Sequence, residues 1–299
     1  MFNKKFLDRM DQDELYNLFL QVSSKIENDT LAKFSAETAE IVPFSNFTTP
    51  ALELMKDPEK IHGIPSGYSC VDELTRGFEP GELIIVGAVE GVGKSMLVQN
   101  IFHNIGLRGI PNLFISMEMT NEEAEKRYIE MQMDVDKCTR EEAAKKIDEL
   151  PLYAYQTDNM NLDELDEKIG LAKREYGIQI LALDHLHYFA PQDTQNSSAV
   201  IGYLVRRLKM MARKHEIPMV VISHLTKQKT KGMPDKSSLR DSSFIAQDAD
   251  TVIMLNRDWG SDDAIARNTL DFDIQKNRTR GYLGKGQLYI KRHHKVMEQ

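Results

Sequence analysis

The stretch Ala88-Val89-Glu90-Gly91-Val92-Gly93-Lys94-Ser95 constrains this chain more than any other. The apolar run Leu83-Ile84-Ile85-Val86 leads into it, and the helical-looking Met96-Leu97-Val98-Gln99-Asn100-Ile101 follows. Strand, glycine-bearing loop, Gly-Lys-Ser and helix form the layout of a cradle for nucleotide phosphates. The residues expected to wrap those phosphates are Ala88, Gly91, Val92, Gly93, Lys94, Ser95 and Met96, at the positive end of the following helix. Lys94 is expected to reach the β- and γ-phosphates, and Ser95 to hold Mg²⁺. Ala88 stands where the first glycine of such loops is usual, and a residue that small still lets the chain turn.

The 299 residues suffice for one large domain or two modest ones, and a hydrophobic content of 41% suffices for a sizeable core. A net charge of −8 excludes a surface that is basic all over. Charge is nonetheless unevenly placed. From Ile274 to Met297 there is no Asp or Glu, and the basic residues there include Lys276, Arg278, Arg280 and Lys285. Such local bias matters more to a polyanion than the total does, although a solvated basic tail fits the same run. Cys70 and Cys138 form neither a CxxC pair nor a metal spacing, which suits a reducing compartment. The N-terminus has no signal-peptide pattern, and no uncharged apolar run approaches membrane-spanning length. The expectation is a soluble cytoplasmic protein with no membrane contact.

Residues 1–60 read differently from the rest. Leu15, Leu18, Phe19, Val22 and Ile26 predict a helix with one apolar face over Asp11–Glu27, and Ala51–Met55 predicts another short helix. This is an N-terminal helical or linker segment, followed by the main domain at 61–299. There the pattern is βα alternation. Leu83–Val86, Leu113–Ser116, Ile178–Leu183 and Met219–Ile222 are short apolar runs of the kind that form strands covered on both faces. Helices are predicted over Asn121–Gln132, Leu162–Arg174 and Ser198–His215. Beyond Asp250, Thr251–Leu255 is strand-like, and Leu270, Phe272 and Ile274 alternate with polar residues. A turn at Gly281–Gly286 then leads into Leu288-Tyr289-Ile290, which predicts a closing hairpin.

Three further strand ends carry chemistry. Leu181-Ala182-Leu183-Asp184 puts a carboxylate where ligands bind in open α/β sheets, so Asp184 is a second candidate for Mg²⁺. Phe114-Ile115-Ser116-Met117-Glu118 offers Glu118 to polarise a water, while an exposed Glu at the start of a helix capped by Thr120 fits equally well. Val220-Val221-Ile222-Ser223-His224 offers His224 as a hydrogen-bond donor to a γ-phosphate, or simply as a surface histidine. The polar, basic segment Thr226–Lys236 contains Lys227, Lys229 and Lys231, which can hold phosphates without reading bases, as can a solvated loop of no such role.

Together these pieces resemble the DnaB-type replicative helicases, the hexameric superfamily 4 group built on a RecA-like ATPase core. The resemblance runs from Gly63 to Ile290. It is carried by Gly67-Tyr68-Ser69-Cys70-Val71-Asp72-Glu73-Leu74, the phosphate loop, Ser116-Met117-Glu118-Met119, Asp184-His185-Leu186-His187 and Ser223-His224-Leu225-Thr226. The most specific piece is Leu239-Arg240-Asp241-Ser242-Ser243-Phe244-Ile245-Ala246-Gln247-Asp248-Ala249-Asp250, and Lys276-Asn277-Arg278 matches the terminal basic motif. His187 and His224 stand where bacterial members mostly carry Gln, and Ser243 replaces a usual glycine.

The resemblance implies a RecA-like P-loop NTPase core with a mainly parallel central sheet flanked by helices, and a short helical segment ahead of it. It implies ATP and Mg²⁺ as cofactors, with Glu118, Lys94, His224, Lys276 and Arg278 as the catalytic set. Arg278 is the implied arginine finger reaching a neighbouring subunit's ATP, with Lys276 beside it. Lys227, Lys229, Lys231 and Arg240 are the implied contacts to single-stranded DNA, and Arg240 and Gln247 the implied couplers of ATP state to the DNA loops. The implied partners are further copies of the chain, as a hexamer, and a primase or helicase loader. Residues 1–60 leave no room for the family's N-terminal helical domain, so the expectation is a reduced, phage-type member acting in a host cytoplasm. The leading expectation is an ATP-driven ring that translocates on one strand and unwinds duplex DNA. The alternatives are a RecA-like DNA-binding ATPase of recombination or loading that does not unwind, and a regulatory ATPase without nucleic acid.

Overall fold

The computed structural model describes residues 43–56, 61–157, 160–189, 197–224, 233–236, 245, 247–279, 282–291 and 294–298. The chain divides into two compact units, Met1–Pro58 and Glu59–Gln299. In the first, a 3₁₀ turn over Phe44–Phe47 runs into helix α1, Thr48–Lys56, which contains the expected Ala51–Met55. The amphipathic helix expected over Asp11–Glu27 lies outside the described residues.

The second unit is built on a nine-stranded sheet. Its strands are β1 Leu83–Ala88, β2 Asn112–Ser116, β3 Leu152–Gln156, β4 Ile180–Asp184, β5 Met219–His224, β6 Thr251–Asn256, β7 Thr269–Asn277, β8 Gly284–Ile290 and β9 Val296–Glu298. They lie in the order β3-β2-β4-β5-β1-β6-β7-β8-β9. The six from β3 to β6 are mutually parallel, and β7, β8 and β9 add on antiparallel. All residues of β1, β2 and β4 are buried, which is why those strands read as apolar runs rather than as alternation.

The helices of this unit include α2 Ser69–Thr75, α3 Lys94–Gly106, α4 Asn121–Asp136, α5 Arg140–Asp148, α6 Leu162–Tyr176, α7 Ser197–His215 and α8 Ala264–Asn268. Capping boxes mark three of their starts. Thr120 with Glu123 opens α4, Thr139 with Glu142 opens α5, and Asn161 with Glu164 opens α6. The core lies on both faces of β1. Ile84, Val86, Ile101, Phe102, Phe114, Val220 and Phe272 form part of it, each at most 2% exposed. Burying such a side chain contributes about 1.5–3 kcal/mol. Among the described residues, no helix is long and apolar enough to cross a membrane.

The elements depart from the sequence reading in a few places. The strand expected at Ile178 begins at Ile180, since Gln179 is still bonded to Pro111 in the approach to the sheet. The glycine turn is shorter than Gly281–Gly286, because Gly284 already pairs with Ile274. The edge strands β3 and β9 and the helices α2, α5 and α8 have no counterpart in the sequence reading.

Candidate functional site

Parallel pairing sets four strand ends side by side. Ala88 at the end of β1 is the register partner of His224 at the end of β5, and Ser116 at the end of β2 is the partner of Asp184 at the end of β4. Because β4 also pairs with β5, the ends of β2, β4, β5 and β1 line up along one sheet edge. This is the edge at which ligands bind in open α/β sheets.

The loop Val89–Gly93 joins β1 to α3. Gly91 has φ +78° and Gly93 has φ +114°, both in the region that disfavours a side chain. Gly93 is also the N-cap of α3, so Lys94, Ser95 and Met96 form the first turn of that helix. Their backbone N–H groups lack intrahelical partners and point at the loop, which makes an anion site. Ala88 is different. It is the last, fully buried residue of β1, in extended backbone, and it needs no glycine. Lys94 Nζ donates to the carbonyl oxygens of Ala88 and Val89, at 3.1 Å each. Burial brings its ammonium down to about 8, against the pull of Asp184, Glu118 and Glu90.

The Ser95 hydroxyl donates to Asp184. Asp184 is 2% exposed, and its Oδ1 has no hydrogen-bond partner. Burial raises its carboxyl to about 6, with Glu118 adding to the rise and Ser95, Lys94 and Arg127 opposing it. An all-oxygen pair with an orphaned buried carboxylate oxygen is a donor set suited to Mg²⁺.

Ser116 Oγ accepts from the N–H groups of Glu118 and Met119, at 3.3 and 2.8 Å, and so turns the chain just past β2. Glu118 emerges exposed at this turn, ahead of the Thr120 cap. His224 is half-buried, and burial followed by the nearby Lys94 lowers its pKa. The adjacent Ser223 Oγ is fully buried and without a partner. Glu118, Lys94, Ser95, Asp184 and His224 therefore gather at one edge, held by β2, β1, β4 and β5. A carboxylate that can accept a proton, a cation and a hydrogen-bond donor around a phosphate cradle can do phosphoryl-transfer chemistry to water.

Lys276 and Arg278 lie elsewhere. Lys276 pairs with Val252 near the start of β6, and the Arg278 N–H donates to the Asp250 carbonyl at 2.9 Å. Asp250 in turn receives the Leu83 N–H at its Oδ2, at 2.8 Å, so this is the edge where β1 begins. Lys276 Nζ donates to the carbonyls of Gln247 and Ala249, at 2.9 and 2.5 Å, which ties down the end of the Leu239–Asp250 segment. Arg278 is exposed beside a groove of about 600 Å³ lined by Glu79, Lys209, Arg213, Asp250 and Thr279. Lys227, Lys229, Lys231 and Arg240 lie outside the described residues.

Two residues join the site without an expected role. Arg127 on α4 bonds Gln99 at 3.2 Å and acts on Asp184, and a lone Arg in a charged helix carries no signal of this. His185 follows Asp184 through a cis peptide, and its ring meets that of His224 edge-on with centroids 4.3 Å apart. It stands in the Asp184-His185-Leu186-His187 segment that carries the family resemblance, where no role fell to it.

A phosphate loop on β1, with charged and polar side chains at the ends of the neighbouring parallel strands, defines a nucleotide-binding ATPase fold of the RecA type. Within that class, the chain belongs to the family described as the DnaB-like helicase C terminal domain, whose model matches residues 63–299. It is 28% identical to the replicative DNA helicase DnaB of Geobacillus stearothermophilus over 308 residues, 96% of this chain and 68% of that protein. It is also 28% identical to DnaB of Leifsonia xyli over 244 residues, 74% of this chain and 53% of the relative. With DnaB of Treponema pallidum, identity is 31% over 66% of this chain and 48% of the relative. The chain thus spans about half to two thirds of the length of these curated relatives.

Among solved structures, the fold resembles an isolated ATPase domain, with a TM-score of 0.78 at 22% identity, covering 87% of this chain and all of that one. It also resembles a DnaB-like replicative helicase solved for its interactions with primase, with a TM-score of 0.76 at 20% identity, covering 95% and 76% of the two chains.

Proposed function

We propose that this chain is the ATP-hydrolysing motor of a ring-shaped DNA helicase that translocates on single-stranded DNA and unwinds duplex. The observation that carries the reading is the convergence of Lys94, Ser95, Glu118, Asp184 and His224 at one sheet edge while Arg278 sits at the other. Family membership over residues 63–299 and relatives named replicative DNA helicases support unwinding over a recombination or loading role.

In this reading the Gly91–Met96 backbone cradles the phosphates of ATP, and Lys94 leaves its carbonyl partners to meet the β- and γ-oxygens. Ser95 and Asp184 would hold Mg²⁺, which when bound supplies neutralising charge between the phosphates. Glu118 orients the attacking water and accepts its proton. His224 hydrogen-bonds the γ-phosphate and feels its loss through β5, from which the lysine-bearing segment Lys227–Lys231 leaves. Lys227, Lys229, Lys231 and Arg240 are the proposed contacts to the strand. Arg278 and Lys276 complete the site of a neighbouring copy, which makes a homo-oligomer, a hexamer, part of the proposal. A primase or helicase loader is the proposed outside partner.

The test is ATP hydrolysis with and without single-stranded DNA across protein concentration, followed by strand displacement. Strong stimulation that rises steeply with concentration, together with displacement, is the expected result. ATP-dependent binding without displacement, under conditions where rings form, refutes the helicase reading. A flat rate indifferent to DNA removes nucleic acid from it altogether.

A further inference from the structure

We propose that Glu118, His185 and His224 form a binding site for a zinc-type divalent cation, separate from the Ser95–Asp184 oxygen pair. The three residues leave consecutive strands of the sheet. Glu118 lies just past β2, His185 just past β4, and His224 ends β5. Neighbouring strands run about 4.8 Å apart, so their ends present side chains at close to chelating distance. One ligand atom from each residue lies within 4.8 Å of the other two.

A tetrahedral zinc at about 2.0–2.1 Å from each ligand needs ligand atoms ~3.3 Å apart. Closing that difference falls mainly to Glu118, whose exposed side chain can change rotamer. The histidines are better fixed. The His185 ring packs edge-on against His224 at 4.3 Å between centroids, and lies against Tyr188 at 4.6 Å.

Donor chemistry selects the ion. Two imidazoles and one carboxylate suit Zn²⁺, Co²⁺ or Ni²⁺, and three protein ligands leave a fourth position open to water or a phosphate oxygen. Mg²⁺ prefers an all-oxygen shell and would stay with Ser95 and Asp184. Around His224, Lys94 opposes a second cation and Glu90 favours one. A bound Zn²⁺ would occupy both Glu118 and His224, and so would stop hydrolysis. That consequence rests on the catalytic roles proposed above, whereas the binding does not.

The experiment titrates the full chain, without nucleotide, with Co²⁺ followed by its visible absorption, and then competes with Zn²⁺. One Co²⁺ per chain, displaced by Zn²⁺, is expected. Loss of an outer-shell partner already weakens metal sites 10–100-fold, so His185→Gln and His224→Gln should each weaken binding at least ~100-fold. Glu118→Gln should also weaken it, and its exposed position preserves the fold if a histidine variant does not. His294→Gln should leave binding unchanged, which separates this site from the His294 ring beside Glu130 at 3.2 Å.

Absence of one-to-one binding, or binding that survives all three ligand variants, overturns the proposal. Zn²⁺ is further expected to inhibit ATP hydrolysis in excess Mg²⁺, reversibly with a chelator. Binding without inhibition would uphold the site and refute the catalytic roles of Glu118 and His224.

Discussion

Arg278 and Lys94 stand at opposite edges of the same sheet. Arg278 is tied to Asp250 beside the start of β1, and Lys94 opens the helix beyond its end. The six residues of β1 between them span about 20 Å, well beyond the reach of an arginine side chain. Arg278 therefore cannot serve the phosphate loop of its own chain, and any role in hydrolysis must be in trans. Arg278→Ala is expected to bind ATP normally and to lose about 10³-fold in turnover, the scale of an arginine finger. Mixing it with Lys94→Ala should restore part of the activity, since mixed interfaces can pair an intact loop with an intact arginine. Full activity of Arg278→Ala alone would refute this.

Ala88 and Gly93 bracket the loop, and only one of them needs to be small for its backbone. Ala88→Gly should leave nucleotide affinity within about twofold and cost about 0.5–1 kcal/mol of stability, as glycine does in a strand. Gly93→Ala puts a Cβ at φ +114° and 2.8 Å from Met96 Cε. The methyl end of Met96 can move, but the backbone strain of about 1–3 kcal/mol stays. Nucleotide affinity should fall about 10- to 100-fold, as read by a fluorescent analogue. Equal affinities for the two variants would show that the loop geometry is misassigned.

The phosphate loop and the central strands were legible because their signals are local. Leu83–Val86, the glycines and the helix after Lys94 are contiguous, and a strand buried on both faces shows as an unbroken apolar run. The edge strand β3 has Tyr153 and Tyr155 on a half-exposed ribbon, so it lacks that run. The three residues of β9 are too short for any period, and they are held by Asn100, 196 positions away from Val296. The meeting of His185 with His224 depends on β4 lying beside β5, a property of strand order that no local pattern encodes.

His103 makes stability depend on pH. It is fully buried on α3, with Nε2 at 2.8 Å from Gln132 Oε1. That oxygen can only accept, so Nε2 carries the ring proton. Burial first, and Lys295 second, lower its pKa from 6.5 to about 4. Between those values the unfolded chain binds a proton that the folded chain refuses. The contribution is complete above pH 6.5 and is lost as pH falls to about 4, in total about 3 kcal/mol. Denaturant midpoints should fall more steeply on acidification for the wild type than for His103→Gln. Parallel curves would count against the assignment.

Asn100 ties the end of the chain to the helix that begins at the phosphate loop. Its Nδ2 donates to the carbonyls of Met96 and His294, at 2.9 and 2.8 Å, and its Oδ1 accepts from the Val296 N–H at 2.9 Å. The Tyr68 hydroxyl adds a bond to the Val296 carbonyl at 3.1 Å. Asn100 is fully buried, so Asn100→Ala strands the Val296 N–H away from water. The expected loss is about 2–4 kcal/mol, the scale of a buried donor and acceptor left unmade. Hydrogen exchange should accelerate first at Val296 and its β8 partner Ile290, while the central strands stay protected. Because Lys94, Ser95 and Asn100 share α3, nucleotide affinity should weaken alongside. An unchanged midpoint with unchanged exchange at Val296 would mean that Tyr68 and the β8 pairing hold this strand without Asn100.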